Sequence, residues 1–230
     1  MMLLENILLL QKEIAECALL CQRKPSDIKL LAVTKKVSLD VITTALHSGI
    51  ELIAESKVQE AVTKIPFLKG LYQEFHFIGH LQSNKISELI ELQPSLIHSI
   101  DKYSTAEKLN HVLARKGRKI EVLIEVNTSN EDSKNGVTVA DCSELIKKIE
   151  DLEHVQVKGL MTIGALTPIE ARVRNCFRTL REIYEKEKSK TYFSTEMQYL
   201  SMGMSNDFKI AIQEGANILR IGSWIFGERN

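Results

Sequence analysis

The sequence LLAVTKK, residues 30–36, ends a run of apolar and β-branched side chains abruptly at two lysines. A run without polar alternation is typical of a strand buried on both faces, as in a parallel sheet. Such sheets place their chemistry at the carboxyl ends of the strands. The stretch therefore predicts a buried strand that presents Lys35 at a reactive rim, where a partly dehydrated amine can attack an aldehyde. The alternative is that Lys35 and Lys36 only solubilise the strand end.

Strand and helix patterns alternate along the rest of the chain. An N-terminal helix is predicted within residues 1–24, and about eight strands follow between residues 28 and 227, each but the last with a helix behind it. They include strands at residues 96–100, 120–126 and 218–221 and a helix at 208–213. The sequence therefore predicts one α/β domain, residues 1–230, built as a single (β/α)8 TIM barrel with an extra N-terminal helix. The alternative, a doubly wound open sheet, lacks its GxGxxG turn after the first strand.

The composition limits the possible partners. The 230 residues are 44% hydrophobic and 26% charged, which fits a globular protein with an adequate core. Because 30 basic residues balance 30 acidic ones, we expect neither nucleic acid nor an anionic membrane as a partner. The leucine-rich start contains charged residues, so it predicts neither a signal peptide nor a membrane span.

The cysteines indicate the compartment. They lack the CxxC pairing of metal sites, so we expect free thiols and a cytoplasmic protein. They are Cys17, Cys21, Cys142 and Cys176. We also expect a monomer or a weak dimer.

The carboxyl ends of barrel strands converge on one mouth, where residues distant in the sequence become neighbours. Many of the predicted strand ends carry polar or titratable side chains. The candidates there are Lys35, Glu55, Ser99, Asp101, Asn127, Met161, Ser201 and Arg220. Metal chemistry is not indicated, because His76 and His80 are four apart on a strand and turn, about 13 Å by the usual rise. No GxSxG turn frames a nucleophilic serine either.

Glycines follow two of these strand ends. They lie in SMGMSND, residues 201–207, and in RIGS, residues 220–223. Backbone amides near glycine, together with a helix whose predicted cap is Ser205 or Asn206, form a site for a phosphate dianion. The alternative is that the glycines only make turns. Combined with Lys35, they predict a ligand with both an aldehyde and a phosphate, and pyridoxal 5'-phosphate meets that description.

Arg220 constrains the chemistry of such a ligand. Because arginine stays protonated, at the pyridine nitrogen it donates a hydrogen bond and cannot receive a proton. The ring then remains a weak electron sink, which predicts muted carbanion chemistry. The alternative is that Arg220 only pairs with a surface carboxylate.

The motifs also resemble those of a known family, the pyridoxal phosphate homeostasis proteins, from about residue 25 to Gly227. They are LLAVTKK, VQE, HFIGHLQSNK, HSID, VNTSNEDSKNG, GLMTI and LSMGMSNDFKIAIQEGANILRIGSWIFG. That family is similar to the N-terminal barrel domain of alanine racemases. The resemblance implies a Schiff base at Lys35 and Arg220 at the ring nitrogen. It also implies a phosphate held by Ser201, Gly222 and Ser223, and the predicted cofactor-binding set further includes Asn127, Met161, Met204 and Ser205.

One segment departs from the family pattern. Residues 54–56 read AES where GEN is usual, so Ala54 and Ser56 predict a wetter rim or a looser cofactor. Asn84, Lys85 and Lys134 are expected near the mouth, without an assigned role.

Two functions compete most closely. The first is a protein that buffers or delivers pyridoxal phosphate to apoenzymes without catalysis, and the alternative is an amino-acid racemase. Because the related racemases append a second domain, and the predicted strands use up the chain before Asn230, we expect no opposing acid/base group and favour the carrier. A third reading, a barrel enzyme acting on a sugar phosphate through Lys35, explains Arg220 less well.

Overall fold

Eight parallel strands close into a barrel in the order of the chain. The computed structural model describes residues 2–192 and 194–228. The strands are β1 (Lys29–Val33), β2 (Leu52–Glu55), β3 (Glu74–Phe77), β4 (Leu96–Ile100), β5 (Ile120–Glu125), β6 (Val155–Met161), β7 (Tyr199–Ser201) and β8 (Ile218–Ile221). The predicted (β/α)8 barrel is therefore confirmed. The predicted bounds of β4 and β8 agree with the structure, whereas β5 ends one residue earlier than expected.

Helices follow the strands and form the outer layer. They are α1 (Met2–Leu20), α2 (Leu39–His47), α3 (Val58–Leu68), α4 (Ile86–Glu91), α5 (Tyr103–Arg115), α6 (Cys142–Glu150), α7 (Glu170–Lys188), α8 (Phe208–Gln213) and α9 (Ser223–Phe226). The predicted N-terminal helix is α1. The four-residue α9 was not predicted, because one turn is too short to show a helical period.

The cap predicted for α8 is wrong. Its N-cap is Asp207, and not Ser205 or Asn206. The physical reason lies in the preceding turn, where the Met204 N–H donates to Asp207 Oδ1 at 2.5 Å. This bond holds residues 204–207 in a turn, so the helix begins only at Phe208.

Two apolar layers hold the barrel together. Alternate residues of each strand point inward. The inward apolar cluster consists of Leu31, Leu52, Ala54, Leu96, Leu123, Met161 and Ile218. The larger cluster lies between the sheet and the helices, where apolar residues of both layers pack together. Inward positions therefore decide which side chains reach the mouth of the barrel.

Helix α1 packs beside α8 and α9. Its Asn6 side chain donates to the Ile225 carbonyl oxygen at 3.3 Å, and the Cys17 thiol lies 3.6 Å from the Lys209 carbonyl oxygen. Just after the helix, Arg23 donates to the Ile212 carbonyl oxygen at 3.1 Å. Helix α1 therefore supports the two helices that follow β7 and β8. The division into residues 1–24 and 28–227 of one domain stays a prediction.

The β7–β8 pair is the shortest in the barrel. Within the described residues its one register pair is Ser201 with Ile218, whereas β5 and β6 share six. Three backbone hydrogen bonds support it, from Asn217 to Leu200 at 3.1 Å, from Met202 to Ile218 at 3.2 Å and from Arg220 to Gly203 at 3.0 Å. The loops after these two strands therefore begin at a short strand pair, which we call the β7–β8 seam.

Membrane spans and metal clusters were sought over residues 2–192 and 194–228. No helix in these ranges is long and apolar enough to cross a membrane. No group of three or more His, Cys, Asp or Glu side chains in the same ranges is arranged to hold a metal ion.

Candidate functional site

A cavity of about 1230 Å³ opens at the carboxyl ends of the strands. Seven of the predicted site residues line it: Lys35, Met161, Met204, Ser205, Arg220, Gly222 and Ser223. They come from β1, β6, β7 and β8 or from the loops behind them. The structure therefore brings together residues that are up to 188 positions apart, the separation of Lys35 and Ser223.

Lys35 reaches the mouth because of the alternation along β1. Leu31 belongs to the inward cluster and Val33 lines the cavity, so the inward parity continues to Lys35. The side chain is exposed, so the loss of hydration predicted for this amine is not observed. The next residue, Lys36, has a φ of 59°, a left-handed conformation that turns the chain away from the barrel axis.

A buried ionic cluster anchors the turn that carries Lys35. Lys64 of α3 donates to the Thr34 carbonyl oxygen at 2.8 Å, to Glu55 Oε1 at 3.1 Å and to Glu60 Oε1 at 2.5 Å. The Lys36 N–H donates to the same Glu60 oxygen. The carbonyl before Lys35 and the amide after it are therefore both held by α3. We call Thr34, Glu55, Glu60 and Lys64 the α3 clamp.

Glu55 is the most deeply buried member of the α3 clamp. It is 0% exposed, and its Oε1 accepts from Thr34 Oγ1 at 2.6 Å. Its Oε2 is buried without a hydrogen-bond partner. Burial raises the pKa of Glu55, while the Thr34 hydroxyl and the Lys64 charge oppose that increase.

Arg220 lies beneath the cavity and is held at two points. Its Nη1 donates to Ser201 Oγ at 2.7 Å, and its Nη2 donates to the Thr162 carbonyl oxygen at 2.8 Å. These bonds use two of the five N–H groups of a guanidinium. Burial lowers the pKa of Arg220 to about 10, and the charges of Asp207 and Glu125 oppose that decrease. The guanidinium therefore stays protonated at neutral pH and acts as a donor.

Glu125 faces the same cavity from the opposite wall, since β5 lies across the eight-stranded ring from β1. It is 4% exposed. Burial and, to a smaller extent, the charge of Asp101 raise the pKa of Glu125 to about 7, against the opposing charge of Arg220. The lining therefore contains a carboxyl that changes charge near neutral pH.

The loops after β7 and β8 meet at the remaining side of the cavity. Ser205 Oγ accepts from the Trp224 N–H at 3.2 Å, which ties the first loop to the first turn of α9. Gly203 has a φ of 94°, and a Cβ added there would lie 2.5 Å from the Ala211 Cβ. The Ser223 N–H also belongs to the first turn, so no helical carbonyl accepts it. Hydroxyl and amide groups of both loops thus line the same side of the cavity.

Comparison with known proteins gives the family. The model of the alanine racemase N-terminal domain matches residues 12–230. A pyridoxal phosphate homeostasis protein of Aquifex aeolicus is 40% identical over 87% of this chain and 87% of its own length. The chain belongs to the pyridoxal phosphate homeostasis protein family. The resemblance predicted from its motifs is therefore confirmed.

Two solved structures share the fold and are about one third identical to this chain. PipY of Synechococcus elongatus, solved with pyridoxal phosphate bound, is 31% identical, has a TM-score of 0.81, and matches 93% of this chain and 100% of PipY. A protein from Bifidobacterium adolescentis described as unknown is 32% identical, with a TM-score of 0.93 over 97% of this chain and 94% of that chain.

Two members of the predicted cofactor-binding set, Ser201 and Asn127, do not line the cavity, and neither do the other strand-end candidates, Glu55, Ser99 and Asp101. Ser201 is fully buried below it, where its hydroxyl accepts from Arg220 and lies 3.0 Å from His98 Nδ1. The Asn127 side chain donates to the Glu131 carbonyl oxygen at 2.9 Å and is engaged within its own loop. Direct cofactor contacts by these two residues stay predictions, and so do those of the seven lining residues.

Several lining residues had no assigned role. Ser56, one of the two departures from the family pattern, and Lys134 both line the cavity, whereas Lys85 lines a smaller neighbouring pocket. Sequence reasoning missed the contacts of His98 and Lys64. A histidine inside the apolar strand LIHSI was a signal for the first, but Lys64 on α3 gave no signal.

Proposed function

We propose that this chain binds pyridoxal 5'-phosphate through Lys35 and acts as a non-catalytic carrier in its homeostasis. One observation carries the proposal: the Lys35 amine, the Arg220 guanidinium and the serines of the loops after β7 and β8, Ser205 and Ser223, line a single cavity. These groups match the aldehyde, the ring nitrogen and the phosphate of that cofactor. The names of the relatives and the cofactor bound to PipY support the same conclusion.

Each part of the lining has a distinct task in this proposal. When bound, the cofactor supplies an aldehyde, which can pass from one amine partner to another. The Lys35 amine condenses with it to a Schiff base and releases one water. Arg220 donates to the ring nitrogen and keeps its own proton. The donors at Ser205, Gly222 and Ser223 hold the phosphate, chiefly through backbone amides at the last two.

The remaining predicted residues complete the site. Met161, with 1% exposure, offers an apolar contact to the ring, and Met204 lines the approach to the phosphate. Ser201 acts through Arg220. We retain Asn127 as a predicted contact of the cofactor, although its side chain bonds within its own loop.

The carrier role follows from the proton that Arg220 keeps and does not give to the ring nitrogen. A donor that keeps its proton leaves the ring a weak electron sink, so abstraction of the substrate's α-proton gains little stabilisation. Exchange with another amine needs no such sink. An apoenzyme's lysine can therefore take the cofactor, and mass action sets the direction. We further propose apoenzymes that use pyridoxal phosphate as recipients, a cytoplasmic location, and a monomer or weak dimer.

The proposal is tested by loading the protein and following the cofactor. We expect Lys35→Ala to abolish the absorbance of the Schiff base and the adduct that borohydride reduction fixes. Lys36→Ala is the matched control, because its side chain occupies the adjacent position of the same turn. Mass spectrometry that places the adduct only on Lys36 would contradict the assignment.

Function is tested by a second experiment on the loaded wild-type protein. Mixed with a cofactor-free aminotransferase, it is expected to restore that enzyme's activity. Mixed with single-enantiomer amino acids, it is expected to leave their chirality unchanged over hours. Racemisation at enzyme-like turnover that is lost in Lys35→Ala would overturn the carrier in favour of the racemase.

A further inference from the structure

Polar side chains run through the barrel interior, where apolar layers are usual. At the amino end of the strands, Lys29 Nζ lies 2.7 Å from Glu74 Oε1. Glu74 Oε2 lies 2.7 Å from His76 Nε2, and His76 Nδ1 lies 3.0 Å from His98 Nε2. The two histidines are 1% and 0% exposed, in that order. A continuous file of hydrogen bonds therefore enters the barrel from its amino end.

The file continues to the cavity. His98 Nδ1 lies 3.0 Å from Ser201 Oγ, which in turn accepts from Arg220 Nη1 at 2.7 Å. We call the whole file the polar chain: Lys29, Glu74, His76, His98, Ser201 and Arg220. Its lower end is about one third exposed, since the side chains of Lys29 and Glu74 are each 32% exposed. Its upper end lines the cofactor cavity.

Only one direction of hydrogen bonding satisfies the upper part of the polar chain. Arg220 has no lone pair to offer, so Ser201 Oγ accepts from it. The Ser201 hydroxyl hydrogen then points to His98 Nδ1. A neutral His98 accepts there and carries its own proton on Nε2, from which it donates to His76. Burial lowers the pKa of both His76 and His98, which keeps them neutral.

The lower part requires the same direction. His76 Nδ1 accepts from His98, so its proton lies on Nε2 and is donated to Glu74. The hydrogen bond from His76 and that from Lys29 lower the pKa of Glu74 to about 2, against the effect of burial, so the carboxylate is ionised and can only accept. The reverse direction would place the His76 Nε2 lone pair against this carboxylate. It would also leave the Ser201 hydroxyl hydrogen without an acceptor among the residues of the polar chain.

We propose that Glu74, His76 and His98 are positioning residues that orient the Ser201 hydroxyl and, through it, Arg220 at the cofactor ring. The Glu74 carboxylate at the amino end fixes the tautomer of His76, and each member fixes the next. This inference rests on the proposed function, since it assigns to the polar chain the orientation of the donor to the ring nitrogen. None of the three positioning residues touches the cofactor itself.

The first test reads the tautomers without any cofactor. Long-range proton–nitrogen NMR of the cofactor-free protein, with His76→Gln and His98→Gln used only to assign signals, is expected to show both histidines neutral and protonated at Nε2. A proton on Nδ1 of either histidine would overturn the inference, whatever the protein binds.

The second test perturbs the far end of the polar chain. Glu74→Leu and Glu74→Gln both remove the carboxylate charge and the Lys29 ion pair, but only leucine removes the acceptor for His76. We expect Glu74→Leu to shift the absorbance of bound pyridoxal phosphate and to weaken its binding about tenfold, the loss typical of one hydrogen bond to a charged group. Glu74→Gln is expected to bind several times more tightly than Glu74→Leu.

Controls separate the possible failures. Glu196→Leu breaks a comparable pair with Lys158, 3.0 Å apart and outside the polar chain, and is expected to leave the absorbance in place. Equal effects of leucine and glutamine at Glu74 would identify a charge effect and overturn the inference, as would no effect of either. Failure of the wild-type protein to bind the cofactor would refute the proposed function, and the tautomer test would still decide the inference.

Discussion

Replacing Glu125 by glutamine is expected to stabilise the cofactor-free protein at alkaline pH and to have little effect at acidic pH. The carboxyl is 4% exposed, and its pKa rises from 4.5 in the unfolded reference to about 7 in the fold. Between these values the folded state holds a proton that the unfolded state has released. Stability due to this group is therefore complete below the unfolded pKa and is lost as pH rises through about 7.

The magnitude follows from the two pKa values. At about 1.4 kcal/mol for each tenfold difference in proton affinity, the rise from 4.5 to about 7 corresponds to about 3 kcal/mol of unfolding free energy. Glutamine has a similar shape and no titration, so it removes this cost. Burial is the main cause of the rise, and the charges of Asp101 and Arg220 act in opposite directions.

Urea unfolding at several pH values measures the effect. The difference in unfolding free energy between Glu125→Gln and wild type is the informative quantity, because the titrations of groups that do not interact with Glu125 cancel in it. This difference should grow in favour of glutamine by about 3 kcal/mol between about pH 4 and about pH 8. A difference that stays constant across this range would show that the Glu125 carboxyl is not withdrawn from water in the fold.

Further predictions concern the α3 clamp and the loop after β7. Lys64→Met leaves three acceptors without their ammonium, so the unfolding free energy should fall by about 3–5 kcal/mol in denaturant titrations, and a loss below about 1 kcal/mol would contradict a buried ionic role. Gly203→Ala and Gly49→Ala share left-handed φ values of 94° and 95°, but only the first brings a Cβ against another residue, at 2.5 Å. Thermal unfolding should therefore show a loss for Gly203→Ala that exceeds the Gly49→Ala loss by about 1–3 kcal/mol, and equal losses would exclude the steric contact.

The barrel was predictable because its signal is local. Runs such as LIHSI and ILRI lie between helical patterns, and a strand buried on both faces needs no partner to be recognised. Lys35 and Arg220 were both expected at the mouth because each stands at the carboxyl end of a predicted strand, where barrel strands converge. The predicted bounds of α8 also agree with the structure, and only its cap was assigned wrongly, because a turn bond to Asp207 precedes the helix.

The supporting contacts were not predictable, because they depend on register between elements far apart in the sequence. Lys64 reaches Thr34 across 30 residues, and His98 reaches Ser201 across 103. A single sequence specifies which residues face inward, but it does not specify which inward residues lie at the same height. Ser201 shows the consequence: the bond that it accepts from Arg220 was not predicted, whereas its contact with the phosphate stays a prediction.

The short β7–β8 seam has a mechanical consequence for a protein that loads and unloads a ligand. The loops that carry Ser205 and Ser223 leave the barrel on either side of this seam, and the bond from Trp224 to Ser205 is a crosslink between them. The proposed phosphate site would join both loops and so add a second crosslink beside the shortest strand pair of the barrel. The bound ligand should therefore stabilise the β7–β8 pair against local opening. We expect the amides of β7 and β8 to exchange hydrogen more slowly in the loaded protein than in the empty one, while those of β5 and β6 change little.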